Sequence, residues 1–361
     1  MNIHSIKASD DGDDGTFLHG WQIGGMFQKG EILNHSPLII PINERPSVGG
    51  EIFLSKQTYG AYRWNSFFNF PEYGICYSFL DLGSPTFAGT AHSLFPYLNF
   101  HLFSNNSPVN LHLRVGAGLS YVEKVYQAEL NPMNMAFSTH LNAMLNAQLR
   151  GVVKITGGWS LFAGGGITHL SNGAYQMPNL GMNIISLSTG LTYSFRKANR
   201  LMAPIKKYNE KNKNWDCSAY LLGGIKEINP IGGKKYLAGD FNLELTKRHL
   251  PFTRFGVSLD VTYDGSEYDC IVFQSLPPPA DRLQTVRIGM SGGYELLFGD
   301  FSLDLFFGTY LHEINPLYGR VYQRTSLRYP LSDRLKLTLT FRNHKGKADF
   351  IGVGFGYRLT K

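Results

Sequence analysis

The sequence predicts an all-β protein, a transmembrane antiparallel β-barrel of about sixteen strands. Three observations favour this class: apolar and polar residues alternate with a period of two, glycine and aromatic residues are abundant, and long apolar runs are missing. The chain has 361 residues, of which 40 are glycine, 14% are aromatic and only 17% are charged. Such a composition suits strands better than helices. Because no segment approaches the ~18 apolar residues of a membrane helix, a bilayer could be crossed only by strands.

The alternation is clear between residues 139 and 157, where odd positions such as Leu141 and Leu145 are apolar and even positions such as Asn142 and Asn146 are polar. Side chains two apart on a strand share one face, so each such segment has an apolar and a polar face. A closed single-chain barrel requires an even number of strands. Patterned segments lie near residues 17–28, 47–58, 73–82, 92–103, 108–122, 138–156, 158–171, 183–196, 216–226, 236–247, 252–264, 283–297, 299–312, 319–329, 333–344 and 349–360.

Strands of this kind fit either a soluble two-sheet sandwich or a membrane barrel. The barrel is favoured because the strands are long, many end in Tyr or Phe, and the connections alternate between short and long. The apolar face would then meet lipid, and the polar face would line the lumen. Aromatic residues near strand ends would form the interfacial girdles: Tyr121, Tyr193, Phe195, Tyr329 and Tyr357.

The chain divides at a basic connection. Residues 1–16 have no apolar export core and are expected to form a disordered tail, residues 17–196 and 215–361 carry the two sets of strands, and residues 197–214 form a basic connecting loop. A solvated loop is favoured over a cationic ledge for lipid phosphates, and nucleic-acid binding is disfavoured because no aromatic platform accompanies the basic residues. A barrel must be exported, so a signal peptide is expected to have preceded this sequence and been removed. The basic residues around the connection, which face only Glu210, are Arg196, Lys197, Arg200, Lys206, Lys207, Lys211 and Lys213.

His169 and Ser171 stand two residues apart and so share one face of a predicted strand. An imidazole that takes the proton of a serine hydroxyl enables the hydroxyl to attack an ester carbonyl. Asn183 lies on the apolar row at the start of the next strand. Polar groups on an apolar face are costly unless they bond to one another or do chemistry. The alternative is that all three lie idle at the membrane–water boundary, and the residues alone leave both interpretations open.

Residues 169–174, HLSNGA, followed by residues 178–181, PNLG, resemble the signature of the lipid A 3-O-deacylase (PagL-type), or acyloxyacyl hydrolase-like, outer-membrane family. The resemblance covers roughly residues 17–196. It implies an eight-stranded outer-membrane barrel that hydrolyses an acyl chain of lipid A, or lipopolysaccharide, in the outer leaflet, without a metal or organic cofactor. The resemblance assigns Ser171 as the nucleophile and His169 as the general base, with the oxyanion held by Asn172, Gly173 and Asn179.

One position departs from the family pattern. The family's acidic residue, a Glu, falls at Asn183 by spacing, and no Asp or Glu occurs between residues 151 and 195. An amide can still fix the tautomer of an imidazole, but it supplies no negative charge to stabilise the imidazolium. The sequence therefore predicts His169, Ser171 and Asn183 as the catalytic set. Three consequences of the missing acid stay open: lower activity, an acid that reaches in from another strand, and a pseudo-enzyme.

The closure of the barrel and the function each have an alternative. One barrel of about sixteen strands is favoured because charged inner rows suit a wide, wet lumen; the alternative is an eight-stranded barrel followed by a second eight-stranded unit, which inner glycines such as Gly116 and Gly190 favour mildly. The predicted function is an outer-membrane serine esterase acting on lipid A. The alternatives are a pore or passive transporter with an idle His-Ser pair, or a structural membrane anchor. The inner basic residues in question are Arg320, Arg324, Arg328, Arg334, Lys336 and Arg342.

Overall fold

The computed structural model describes residues 18–60, 63–103, 108–195, 215–250, 252–273, 277, 279, 281–314 and 319–360. The predicted tail at residues 1–16 and the predicted basic loop at residues 197–214 lie outside this part of the chain. The described residues form sixteen antiparallel strands that close into two separate barrels of eight. The predicted class, a β-barrel with about sixteen strands, is confirmed.

The strands of each barrel follow one another in chain order around the wall. The first barrel consists of β1 (Trp21–Ile32), β2 (Ser47–Gln57), β3 (Glu72–Asp81), β4 (Thr90–His101), β5 (Val109–Val122), β6 (Leu141–Lys154), β7 (Trp159–Ser171) and β8 (Met182–Ser194). The second consists of β9 (Trp215–Glu227), β10 (Lys235–Leu250), β11 (Thr253–Asp264), β12 (Arg287–Phe298), β13 (Phe301–His312), β14 (Val321–Pro330), β15 (Leu335–His344) and β16 (Lys347–Arg358).

Short helices occupy some of the connections. They are the α-helices α1 (Arg63–Phe67) and α2 (Glu267–Phe273) and the 3-10 turns Pro37–Ile42 and Arg282–Thr285. Among the described residues, no helix has the length and apolar character needed to cross a bilayer.

Each barrel closes on its own first strand. In the first barrel β8 pairs with β1, with Tyr193 opposite Ile23, and in the second β16 pairs with β9, with Phe355 opposite Leu221. The expectation of one closed barrel of sixteen strands is therefore wrong, and the alternative of two eight-stranded units is confirmed.

The basic inner rows do not line a wide lumen, because acids of the same barrel neutralise them. Arg324 is 1% exposed and Arg328 is 2% exposed, and Glu244 accepts hydrogen bonds from both, at 2.8 Å from Arg324 Nη1 and 2.7 Å from Arg328 Nη2. Arg342 donates in the same way to Asp240 at 2.8 Å. Ion pairs of this kind fill a narrow barrel.

The other basic residues of the predicted inner rows are placed differently. Arg320 and Arg334 lie exposed in turns outside the strands, where they line no lumen. Lys336 faces inward at the start of β15, with its ammonium 3.6 Å from Glu295.

Inner glycines permit the tight closure. A Cβ atom added to Gly116 would lie 2.7 Å from the ring of Phe95, and one added to Gly190 would lie 2.5 Å from the ring of Phe162. Because these rings fill the lumen where the glycines leave space, the first barrel can close with eight strands.

The apolar rows face outward, as predicted. On β7 the side chains of Leu161 and Ile167 are 45% and 41% exposed, whereas Phe162 and Thr168 on the opposite face are 2% exposed each. The outer wall is thus apolar along the strand that ends in Ser171, which places the His-Ser pair on the outside of the barrel.

The two barrels touch where α1, in the connection between β2 and β3, meets the β10–β11 turn and the end of β12. The ring of Phe67, in α1, stacks on that of Phe252 with centroids 3.6 Å apart, and Trp64 meets Phe298 edge-on at 5.8 Å. Aromatic pairs of this geometry add about 0.5–1.5 kcal/mol each beyond their burial. A second contact, at the opposite end, involves the connection between β7 and β8.

Candidate active site

His169, Ser171 and Asn183 lie together at the adjoining ends of β7 and β8. His169 and Ser171 share the outer face of β7 because side chains alternate along a strand. Asn183 is the cross-strand partner of His169 in the β7–β8 ladder. Directly opposed side chains on one face have their Cβ atoms about 4.5–5.5 Å apart. The register of two neighbouring strands therefore brings the predicted catalytic set together.

The three side chains form a chain of hydrogen bonds. His169 Nδ1 lies 2.8 Å from Asn183 Oδ1, and His169 Nε2 lies 3.0 Å from Ser171 Oγ. An amide oxygen only accepts, so Nδ1 carries the proton and Nε2 has a free electron pair for the serine hydroxyl. This is the tautomer that a general base acting on Ser171 requires.

Among the described residues, no acidic side chain contacts the imidazole of His169. Both ring nitrogens of His169 bond to neutral groups, the amide of Asn183 and the hydroxyl of Ser171. Asn183 can therefore orient the ring but cannot offset the positive charge that the ring gains when it accepts a proton.

His35, which the sequence analysis did not single out, supports Asn183 from the connection between β1 and β2. Its Nε2 lies 3.1 Å from the carbonyl oxygen of Leu180, and its Nδ1 lies 3.4 Å from Asn183 Nδ2. Nδ1 also lies 3.1 Å from the carbonyl oxygen of Leu33, so His35 accepts the Asn183 amide proton there only in the tautomer that is protonated at Nε2, and this directs Oδ1 of Asn183 toward His169. No local motif marks His35, because only the pairing of β1 with β8 brings it to the site.

We expect His35→Ala to lower kcat for acyl release by about 2- to 10-fold, the equivalent of one modest hydrogen bond of 0.5–1.5 kcal/mol. The Asn183 amide would then be free to rotate, and the His169 tautomer would be less well fixed. Steady-state hydrolysis by the purified variant measures the effect. His140→Ala is the control, since His140 contacts Tyr121 and the Val122 carbonyl instead. Equal kcat in both variants would contradict a role for His35.

The connection at residues 172–181 is held by its asparagines. The Asn172 amide N–H donates to Asn179 Oδ1 at 3.0 Å, and Asn172 Nδ2 donates to Ser138 Oγ at 3.0 Å and to the Gln176 carbonyl at 2.9 Å. Every donor of Asn172 is thus engaged, partly within the connection and partly with Ser138 outside it. The structure brings the three predicted oxyanion residues together beside Ser171, with Asn172 and Asn179 bonded to each other and Gly173 next in the chain.

Glycine is required at two positions of this connection. Gly181 has φ +69°, and a Cβ atom there would lie 3.1 Å from both His169 Cε1 and Ser171 Cβ. Gly173 has φ +66°, a conformation that other residues rarely adopt. The Gly173 amide N–H has no hydrogen-bond partner among the described residues.

Comparison with known protein families decides the family to which the chain belongs. Residues 49–192 match the family model described as lipid A 3-O-deacylase (PagL), and residues 215–361 match the model described as acyloxyacyl hydrolase, C-terminal domain. Together the two ranges cover most of the chain, and the first contains the whole catalytic set. The chain belongs to the lipid A 3-O-deacylase (PagL) family. The predicted membership is confirmed, and it extends past residue 196 because the second barrel also matches.

Similar solved structures are barrels of low sequence identity. Neisserial surface protein A is 14% identical with a TM-score of 0.32, over 49% of this chain and 97% of that chain. A triple mutant of the Rhodopseudomonas blastica porin is 9% identical with a TM-score of 0.19, over 94% of this chain and 99% of that chain. Among curated proteins, no sequence matches significantly. The family assignment therefore rests on the two family models.

The family and the architecture together give the cellular location. Closed barrels satisfy all backbone hydrogen bonds within the wall, which lets strands cross a bilayer, and apolar outer rows such as that of Leu161 and Ile167 meet lipid. A protein of the PagL family with this architecture resides in the bacterial outer membrane. The predicted location is confirmed.

Proposed function

We propose that this protein is an outer-membrane serine esterase that hydrolyses an ester-linked acyl chain of lipid A. The observation that carries the proposal is the 3.0 Å contact between His169 Nε2 and Ser171 Oγ, on the outer wall of a barrel of the PagL family. A nucleophile within hydrogen-bond reach of a base that is itself oriented by a third group has the arrangement that acyl transfer needs.

In the first half-reaction, Ser171 Oγ attacks the acyl carbonyl carbon while its proton passes to His169 Nε2. The tetrahedral intermediate then collapses. The bond from carbon to the alcohol oxygen breaks, and His169 returns the proton to that oxygen, leaving deacylated lipid A and an acyl-serine. In the second half-reaction, a water gives a proton to His169 and attacks the acyl-serine, and His169 then returns that proton to Ser171 Oγ as the fatty acid leaves.

The oxyanion of the intermediate needs hydrogen-bond donors close to Ser171. Of the three candidates, Asn172 has its donors already engaged. The Gly173 N–H and the Asn179 side-chain amide have no acceptor among the described residues. We therefore assign the Gly173 N–H and Asn179 Nδ2 as oxyanion donors and give Asn172 the task of holding Asn179 in place.

The outward position of the site indicates how substrate arrives. His169 and Ser171 lie on the lipid-facing row of β7, at its end. Lipid A can then diffuse laterally in the outer leaflet and present its ester at the boundary between head group and acyl chains, without entering a lumen. The family match supports a lipopolysaccharide substrate, and the outward position of the site supports its arrival from the bilayer.

The pore alternative has less support. A conducting lumen needs unobstructed, solvated inner charges, whereas in the second barrel Arg324, Arg328 and Glu244 are each at most 2% exposed and bonded to one another. In the first barrel Arg114 and Glu51 form a comparable buried pair. The inner charged side chains thus pair with one another and occupy the interior of the barrels.

The proposal is tested by incubating the purified protein, in detergent micelles, with lipid A and analysing the lipids by mass spectrometry. The expected products are lipid A that has lost one acyl chain and the matching free fatty acid. Intact lipid A after prolonged incubation with protein that is folded by circular dichroism would contradict the proposal, most decisively if the same preparation conducts ions across a planar bilayer.

A further inference from the structure

The second barrel contacts the loop that follows the nucleophile, and we propose that it positions this loop for catalysis through Lys235. The inference rests on the proposed function, because Lys235 is assigned a role in the same reaction. Lys235 is here a positioning residue: it touches the loop, and the loop carries the oxyanion donor.

Backbone and side chain of the second barrel both bond to the loop. The amide of Glu227, the last residue of β9, donates to the carbonyl oxygen of Ala174 at 3.0 Å. Lys235, the first residue of β10, donates from Nζ to the carbonyl oxygen of Tyr175 at 2.5 Å. Two successive loop carbonyls are therefore fixed by two paired strands of the other barrel.

The Lys235 ammonium is itself held in place on two sides. It forms an ion pair with Glu227 Oε2 at 2.8 Å and lies 4.4 Å from the centroid of the Tyr175 ring. Glu227 is 3% exposed, whereas the side chain of Lys235 is 37% exposed, so the carboxylate of the ion pair is buried and the ammonium lies at the surface. Lys235 thus joins the tip of the loop to a buried carboxylate of the second barrel.

Van der Waals contact supplements these bonds at Gly173. A Cβ atom at Gly173 would lie 2.3 Å from Cδ1 of Ile351, on β16. The backbone of the loop therefore lies directly against the wall of the second barrel. The opposite side of the loop is bonded to Ser138 of the first barrel by Asn172, so the loop is held from both sides.

The position of the contacts along the chain explains why they bear on catalysis. The Gly173 N–H, assigned above as an oxyanion donor, is two residues after Ser171 and one before Ala174. Loops that lack fixed contacts open at low free-energy cost, and a displacement on the order of 1 Å in a catalytic group can cost about 100-fold in rate. The first barrel closes without any strand of the second. The second barrel is therefore not needed to close the first, and its contacts with the loop can serve catalysis.

The test compares Lys235→Met with Lys234→Met in steady-state hydrolysis of lipid A by the full chain. Lys235→Met is expected to lower kcat about tenfold with little change in KM, since the donor acts mainly in the transition state. Lys235→Arg should restore most of the activity, because a guanidinium can bond to the same carbonyl and ring. Lys234→Met is the matched control: Lys234 lies over Tyr236 and has no contact with the loop among the described residues.

If Lys235→Met fails to fold because Glu227 has lost its ion-pair partner, a second variant tests the same role. Tyr175→Leu leaves the Lys235–Glu227 pair intact and removes only the ring contact, and it should lower kcat by a smaller factor. Equal kcat for all these variants, in a protein whose hydrolysis still depends on Ser171, would overturn the positioning role and leave the proposed function standing. Absence of Ser171-dependent hydrolysis in the wild type would instead overturn the proposed function, and this inference with it.

Discussion

Ser171→Ala is expected to abolish release of fatty acid from lipid A, a loss of about 1000-fold or more in kcat. The variant keeps the barrel, the lipid-facing wall and the oxyanion donors but has no oxygen to form the acyl-serine. His169 could at best activate a water in its place, without the covalent step. Release of fatty acid, followed by mass spectrometry over time, measures the loss.

Ser160→Ala is the matched control for this substitution. Ser160 lies on the same strand but faces the lumen, at the end remote from His169, so its loss should leave kcat unchanged. Both variants should fold, because removing a hydroxyl leaves no cavity larger than one atom. Full activity in folded Ser171→Ala would exclude Ser171 as the nucleophile and with it the acyl-enzyme route.

The strands could be predicted from the sequence because alternation records which face meets lipid. The predicted segments agree with the strands to within a few residues at most ends. The clearest difference is the first strand, predicted near residues 17–28 but found at Trp21–Ile32. Gly30 resembles a turn residue in the sequence, yet it lies within the β1–β8 ladder opposite Ser186, where a Cβ atom would be 2.5 Å from the carbonyl oxygen of Ile185.

Closure could not be predicted in the same way. The alternation of apolar and polar residues is the same in barrels of eight and of sixteen strands. It records which face of a strand meets lipid and not which strands pair to close the barrel. The decision lies in the pairing of Tyr193 with Ile23, a contact between residues far apart in the chain. The inner rows also carry acids such as Glu244, which pair with the arginines and favour the narrower barrel.

The proximity of the three predicted catalytic residues could be predicted because they lie on two neighbouring strands. The spacing of His169 and Ser171 fixes a shared face, and the length of the connection sets Asn183 opposite His169. The supporting contacts were not predictable, because His35 and Lys235 reach the site only through barrel closure and through contact between barrels. The grouping of His169, Ser171 and Asn183 could therefore be predicted from the sequence. The contacts that His35 and Lys235 make with the site depend on the tertiary structure.

Asn183→Glu is expected to raise kcat, on the order of tenfold. By the resemblance, the family carries a Glu at this position. A carboxylate that accepts from His169 Nδ1, now bonded to the amide oxygen at 2.8 Å, would stabilise the imidazolium formed as Ser171 is deprotonated. Hydrogen bonds to charged groups contribute about 1.5–3 kcal/mol against 0.5–1.5 kcal/mol for neutral ones. The difference of about 1.4 kcal/mol corresponds to a factor of ten in rate.

The comparison needs a variant that removes the hydrogen bond without adding charge. Asn183→Leu should lower kcat, because the imidazole would lose the acceptor that fixes its tautomer, and the order Glu above Asn above Leu would show that the position acts by charge as well as by orientation. A Glu variant slower than the wild type would mean that the amide itself is required. The Nδ2 donor that Asn183 directs to His35 would then be the essential feature, and the network His35–Asn183–His169 a working substitute for the family's acid.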